Sequence, residues 1–519
     1  MKKAVKFTLI GVAAAAVLAG GLGFVITPNT GKAPNDPVEG AKPFSASSAI
    51  GCNYYRIPAM ITAQDGTVIA SIDARFGGTH DSPNNIDMAV SLSGDNGQSW
   101  SDPALALSFD DWEASGNFLR ADGSLATENS ASAIDSSLLQ DRHTGRVFML
   151  VDAFPYATGA FASQKGSGYT EIDGNQYLAL RKNGEEEYRY TVREDGVIYD
   201  ENGEKTAYSL NSKYEILENG NPLTVEQKEL HYWYMIPFGV GNRTEVPMNI
   251  LYQDALFQPL NTSYLYLLYS DDNGRTWSDP VDLNAQVKPD EAGFMGVCPG
   301  RGIQIENGAH AGRLLFTAYY LEPETGEQRF TTVYSDDHGE TWKTGESVAV
   351  SEAIPSMSET QLVQFPDGGL QAFARTTSGY VAAAYSPDGG ETWGAAQLVK
   401  ELPLTGGSGC QISAINYTGQ IDGRDAVLLS APAGDSRKNG YIYVGLIRES
   451  GDATQPYAID WTYKKEIADA DTYFAYSCLT QLADGKIGLL YEQANTPQTV
   501  DTVVFKTFTV EQLCAARIS

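Results

Sequence analysis

An all-β fold of the β-propeller type is predicted by three features of this 519-residue chain. A short signature, Ser-x-Asp-x-Gly-x-Thr/Ser-Trp, occurs four times. Most copies follow a strand-like apolar run. The composition, with 52 Gly and 29 Tyr, suits many short strands joined by tight turns.

The signature occurs at Ser93–Trp100 (SGDNGQSW), Ser270–Trp277 (SDDNGRTW), Ser335–Trp342 (SDDHGETW) and Ser386–Trp393 (SPDGGETW). The run Tyr264-Leu265-Tyr266-Leu267-Leu268-Tyr269 ahead of the second copy reads as a strand. Each copy therefore marks a strand, a tight turn and the start of a return strand. The Asp accepts hydrogen bonds from turn amides, the Gly takes positive φ, and the Trp seals the hairpin. A hairpin device repeated at distance means a repeat architecture. The intervals Asp272 to Asp337 and Asp337 to Asp388, about 50–65 residues, each suit one four-stranded blade.

The interval Asp95 to Asp272 is too long for one blade. Its excess lies between about Ser163 and Met248, a stretch rich in hairpin signals: Asp173-Gly174, Asn183-Gly184, Asp195-Gly196, Asn202-Gly203 and Asn219-Gly220. Tyr188, Tyr190, Val192, Val197 and Tyr199 suggest short strands. Residues 163–248 are expected to form a small β-rich domain inserted in a propeller loop.

Hydrophobic residues make up 42% and charged residues 19%, the balance of a globular protein. The formal charge of −29 argues against nucleic acid, whose binding needs basic surface. An anionic ligand would need a local cluster of Arg against that field. Lys2, Lys3 and Lys6 precede a charge-free run from Phe7 to Ile26, which reads as an export signal with a linker to about Lys42. A secreted or cell-surface protein is expected. Uncut, the run is long enough to span a bilayer and would serve as an N-terminal anchor. The five widely spaced Cys contain no CxxC pair, and the five His are scattered. Free thiols are expected, and no metal site.

Six segments carry candidate chemistry. Tyr55-Arg56-Ile57-Pro58 precedes a strand-like run. Arg75 and Asp81 stand in ARFGGTHDSPNNID, a Gly- and Asn-rich loop ahead of the first repeat. Asp135 sits in SAIDSSLL. The segment SETQLVQFPDGGLQAFAR, from Ser358 to Arg375, is a hairpin whose ends carry Glu359 and Arg375 close together. Arg437 lies in GDSRKNGYIYVGL. Tyr473-Phe474-Ala475-Tyr476-Ser477-Cys478-Leu479 precedes DGKIGLLYE, which ends at Glu492. Alone, each has a plain reading: a surface Arg, a turn Asp, an exposed Glu–Arg pair worth little, a core Tyr.

In this order and with these repeats, the chain from about Lys42 to Ser519 resembles the sialidase family. The four turns resemble its Asp boxes, and Tyr55–Pro58 resembles its FRIP motif with Tyr for Phe. The resemblance implies a six-bladed propeller and a retaining exo-sialidase acting on terminal sialic acid of glycans and glycoproteins, a chemistry that needs no metal or organic cofactor; a monomer is expected. It implies that Arg56, Arg375 and Arg437 hold the substrate carboxylate, and that Asp81 rather than Asp87 is the acid/base. Tyr476 would be the nucleophile, Glu359 its activating base, and Glu492 a counter-ion to Arg56. Arg75 and Asp135 would serve the sugar's 4-hydroxyl side. Arg301, in Cys298–Gln304, resembles a family block bordering the pocket and is a minor alternative for the triad. Some relatives with a similar insert are intramolecular trans-sialidases releasing 2,7-anhydro-sialic acid, the alternative activity. A non-catalytic sialic-acid-binding propeller is a further alternative, disfavoured by Asp81, Glu359 and Tyr476 together. A different Asp-box glycosidase with paired carboxylates is disfavoured by Tyr476 and the Arg set.

Overall fold

The computed structural model describes residues 40–45, 50–52, 54–76, 78–109, 130–233, 236–322, 324–493 and 503–518. The N-terminal apolar run and most of the linker after it lie outside the described residues.

The chain is all-β, with antiparallel meanders in a propeller-like arrangement. The strand Val68–Arg75 is buried along its whole length: Val68, Ala70, Ile72 and Ala74 pack with Cys478, Leu490 and Phe505, while Ser71 and Asp73 bond to Ser136 and the Asp135 amide on the other face. Four blade-like sheets of three to five strands begin at Phe294, Thr360, Ser413 and Ala475. The last gains an edge through Ala41, which exchanges backbone hydrogen bonds with Phe505. A fifth sheet has nine strands, running from Tyr54–Thr62 to Val281–Asp282. The pairing therefore does not divide into six independent sheets. The cause is local: one parallel bridge, Ile86 to Ser132, joins the meander starting at Tyr54 to the meander starting at Ser132.

The four signature turns share one hydrogen-bond pattern. At the first, the Ser93 hydroxyl donates to Asp95 at 2.8 Å, and Asp95 accepts from the Ser99 amide at 2.8 Å and its hydroxyl at 2.6 Å. Asp272, Asp337 and Asp388 accept in the same way from Thr276, Thr341 and Thr392. Gly97 has φ +82°, and a Cβ there would lie 2.0 Å from the Phe505 ring, so the turn needs glycine on both counts. Trp100 packs edge-on against that ring at 5.2 Å.

Strands Val147–Phe154 and Tyr264–Ser270 pair along their full length, yet the chain between them builds another sheet. That sheet has eight strands, from Tyr169–Ile172 through Asn221–Pro222, with Phe257–Gln258 as its last. A separate hairpin pairs Thr224–Trp233 with Ile236–Pro247. Leu180, Ile198, Ile216 and Phe257 of this region share one apolar cluster with Tyr264, Tyr266 and Phe294 of the propeller-like body. Tyr214 stacks on Tyr266 at 5.2 Å. The two regions are therefore continuous in their core. All five Cys are free, and four are buried.

Candidate active site

Residues on the strands, or on the loops at their ends, from all five sheets of the propeller-like body converge on one pocket of about 700 Å³. Its wall includes Arg56, Asp81, Asp135, Glu359, Arg375, Arg437 and Tyr476. Three of the inner strands break register where they reach it: between Arg56 and Ala59, between Ile134 and Ser137, and between Ala475 and Ser477. A bulge kinks a strand and re-aims its side chains, so the sheets end by turning functional groups toward the centre.

The backbone is strained at the same places. Ile57 has φ +61°, a costly conformation for a β-branched residue. Its amide donates to Glu492 Oε1 at 2.9 Å. The same oxygen accepts from Arg56 Nε at 3.2 Å. One buried carboxylate thus fixes both the bulge and the guanidinium. Asp135 has φ +62°, and its amide donates to Asp73 at 3.0 Å. Arg437 has φ +56°, and its amide donates to the Thr405 hydroxyl at 3.1 Å.

Around Tyr476 the groups are in direct contact. Its hydroxyl donates to Glu359 Oε1 at 2.7 Å. Arg375 Nη1 donates to Glu359 Oε2 at 2.5 Å and to the tyrosine oxygen at 3.0 Å. The guanidiniums of Arg56 and Arg437 lie 5.4 and 5.3 Å from the ring centroid. Burial and the Glu359 charge push the phenol well above its ordinary value, although the three arginines oppose this. The phenol is therefore protonated in the free protein and needs a base to act as a nucleophile.

Asp81 sits on the loop between strands Val68–Arg75 and Ile86–Ser93, with its side chain 66% accessible at the pocket. Partial loss of solvent beside the pocket wall works to raise its pKa, but the Arg75 and Arg56 guanidiniums outweigh that and hold it at about 2. Arg75 reaches it at 2.7 Å and Arg56 at 3.4 Å. Asp135 behaves in the opposite way. Burial and the carboxylates of Asp73, Asp152 and Glu359 push its carboxyl well up, and its Oδ1 has no hydrogen-bond partner among the described residues. A protonated carboxyl facing a pocket is a ready donor to a ligand hydroxyl.

Three guanidiniums around a tyrosine paired with a carboxylate suit an anionic glycoside. The BNR repeat-like domain model matches residues 201–491. The chain is 38% identical to the intramolecular trans-sialidase of Ruminococcus gnavus, whose structure superposes with a TM-score of 0.84 over 91% of this chain and 98% of that one.

The chain belongs to the BNR-repeat sialidase family.

It is also 37% identical to the anhydrosialidase of Macrobdella decora over 91% of this chain, and 39% identical to sialidase B of Streptococcus pneumoniae over 87%. It spans 62% and 63% of the lengths of those two relatives.

Most of the sequence-predicted residues of this family member meet in the pocket. Arg75 does not line it: its side chain has no exposed surface and is held by Asp73 at 2.7 Å and Asp81. It stands behind Asp81 and holds the loop acid. Glu492 is likewise a buried support, bonded to Arg56. Arg301 lines a separate cavity with Arg142 and Gln304, because its strand pairs with Leu138 away from the pocket. Asp87 accepts from the Phe109 amide and is absent from the pocket wall.

Sequence reasoning missed Asp73 and Asp152, two fully buried acids. Asp73 anchors Arg75 and the Asp135 amide, while Asp152 lines the pocket and accepts from the Val297 amide at 2.9 Å. A signal existed: each is the lone acid in an apolar strand, VIASIDAR and VFMLVDAF. An acid so placed must find partners.

Proposed function

We propose that this protein is a retaining exo-sialidase that releases terminal sialic acid from glycoconjugates through a covalent sialyl-tyrosine intermediate. The observation that carries the reading is the Tyr476 hydroxyl, bonded to Glu359 and surrounded by Arg56, Arg375 and Arg437.

The sugar's carboxylate pairs with the three guanidiniums, whose planar forks suit a carboxylate. That anion draws charge from Arg56, so the pKa of Asp81 rises when substrate binds and Asp81 takes up the proton it needs as an acid. Tyr476 Oη attacks the anomeric carbon while Glu359 takes its proton. The bond to the aglycone oxygen breaks as Asp81 protonates that oxygen. In the second step Asp81 removes a proton from water, which attacks the anomeric carbon. The tyrosine oxygen leaves and recovers its proton from Glu359. Two displacements at one carbon retain configuration. A neutral phenol approaches a carboxylate-bearing carbon without the repulsion a charged nucleophile would meet. Protonated Asp135 donates to a ring hydroxyl, and Arg75 and Glu492 position Asp81 and Arg56.

The nine-stranded sheet reads as two blades joined at the Ile86–Ser132 bridge, which with the other four sheets makes six. The four Asp turns then serve as Asp boxes, and residues 163–248 as the inserted domain. Export to the cell surface or beyond fits the apolar N-terminus. Similarity to two proteins described as intramolecular trans-sialidase and anhydrosialidase supports a second reading of the final step, in which the sugar's own hydroxyl replaces water. Mass spectrometry of the product from 3′-sialyllactose separates the two: the anhydro sugar is lighter by one water. Free sialic acid is expected, and no release of either sugar would refute the assignment.

A further inference from the structure

Among the described residues, three large hydrophobic side chains are exposed: Leu105, Val281 and Phe161. Phe161 is the only aromatic of the three, it is 77% accessible, and it alone lines the active-site pocket. Phe154 and Phe294 also line that pocket, but they are buried in its floor. Phe161 stands at the mouth. Isolated exposed rings are common on protein surfaces, but this one lies on the wall of the active-site pocket, where its apolar face is open to a bound ligand.

The ring's support ties it to Asp81. Phe161 sits in a short 3-10 turn, Ala160–Ala162, just after strand Val147–Phe154. The Ala162 amide and the Ser163 hydroxyl both donate to the Gly159 carbonyl, at 3.0 and 3.1 Å, which closes the turn. Ala160 packs into the core beside it. Gly159 lies directly on the loop that carries Asp81: a Cβ there would be 2.2 Å from the Ser82 carbonyl oxygen and 2.7 Å from its carbon. Only glycine permits that approach, so the turn rests on the residue next to the acid.

The acid marks the leaving-group side of the pocket. Under the assignment above, on which this inference rests, Asp81 protonates the oxygen shared by sialic acid and the next sugar. We propose that Phe161 is the platform for that next sugar, a hexopyranose whose apolar ring face lies on the phenyl ring. Phe161 then takes no part in the bond-breaking step. It recognises the aglycone and holds the glycosidic oxygen toward Asp81.

The test compares Phe161→Ala with wild type on two substrates: 3′-sialyllactose, which has a hexose to stack, and methyl α-sialoside, which has none. Loss of one aromatic contact lowers kcat/KM on sialyllactose about three- to tenfold. The value on the methyl sialoside should be unchanged, and Phe161→Trp should restore sialyllactose turnover. Thermal melts confirm folding, which an exposed side chain should not disturb. Equal losses on both substrates would overturn the proposal by showing that Phe161 acts through the Asp81 loop. No loss on either would overturn it by showing that the ring stays uncovered. If wild type turns over neither substrate, the sialidase assignment itself fails and the platform with it.

Discussion

Arg437→Ala isolates the carboxylate contact better than either of the other arginines. Arg56 already pairs with Glu492 at 3.2 Å and Asp81 at 3.4 Å, and Arg375 with Glu359 at 2.5 Å. Removing either would strand a buried acid, a loss of about 3–5 kcal/mol in stability that would confuse the kinetics. Arg437 has no carboxylate partner among the described residues. It donates to the Gly409 carbonyl at 3.3 Å and faces the Tyr476 ring at 5.3 Å. Its removal should therefore lower stability by only about 1–2 kcal/mol. Loss of a desolvated charge pair with substrate costs about 2–5 kcal/mol, or roughly 30- to several-thousand-fold in kcat/KM. Arg437→Lys should recover part of this, since the charge returns without the fork. The assay is kcat/KM on a sialoside and on its carboxylate methyl ester. If Arg437 meets the carboxylate, esterification should harm wild type far more than the Arg437→Ala variant. Near-wild-type kcat/KM in Arg437→Ala, or equal harm from esterification in both proteins, would refute the reasoning.

Asp81→Ala should slow cleavage of 3′-sialyllactose by about 10²–10⁴-fold, and the glycosylation step of an activated aryl sialoside much less; equal losses in pre-steady-state rates would exclude the acid role. The pH dependence of stability tests the same residue. Its pKa falls from 3.8 to about 2 on folding, so Asp81 contributes stability above about pH 4 that is lost as pH falls through 2. The difference in Tm between wild type and Asp81→Asn should be full at pH 5 and shrink between pH 4 and pH 2; a constant difference would contradict the ion pairing. Deleting residues 163–248 behind a Gly/Ser bridge should yield insoluble or dye-binding protein, since it uncovers Tyr264 and Tyr266 of a shared core. A soluble, cooperatively melting deletion variant would show that residues 163–248 are dispensable to the fold.

The sequence was most informative where chemistry and chain proximity coincide. Glu359 and Arg375 end one hairpin, so their contact follows from a turn at Asp367-Gly368-Gly369. The signature turns follow from local hydrogen bonding between residues at most four apart. Long-range consequences were less legible. Arg75 and Arg56 look alike in sequence, yet one reaches the pocket and the other is spent on Asp73 and Asp81. Phe161 stands in no motif of the sequence, and only tertiary packing leaves it exposed on the pocket wall. The bridge between Ile86 and Ser132 joins residues separated by a whole repeat turn and its linker, which no local pattern encodes. The strands between Val147–Phe154 and Tyr264–Ser270 were visible through their hairpin signals, but the core they share with the propeller-like body was not, because apolar residues such as Leu180 and Ile198 do not reveal which partner covers them.

The central claim is that Tyr476 becomes covalently attached to the sugar. A 3-fluoro-sialosyl fluoride tests it most directly, since its fluorine slows breakdown of the intermediate. Intact-protein mass spectrometry of the treated wild type should show one added fluoro-sugar, and peptide mapping should place it on Tyr476. Tyr476→Phe should fold, losing at most about 1–3 kcal/mol with the buried hydroxyl, and should take no label. A label on Glu359 or Tyr473, or undiminished turnover by Tyr476→Phe, would contradict the account.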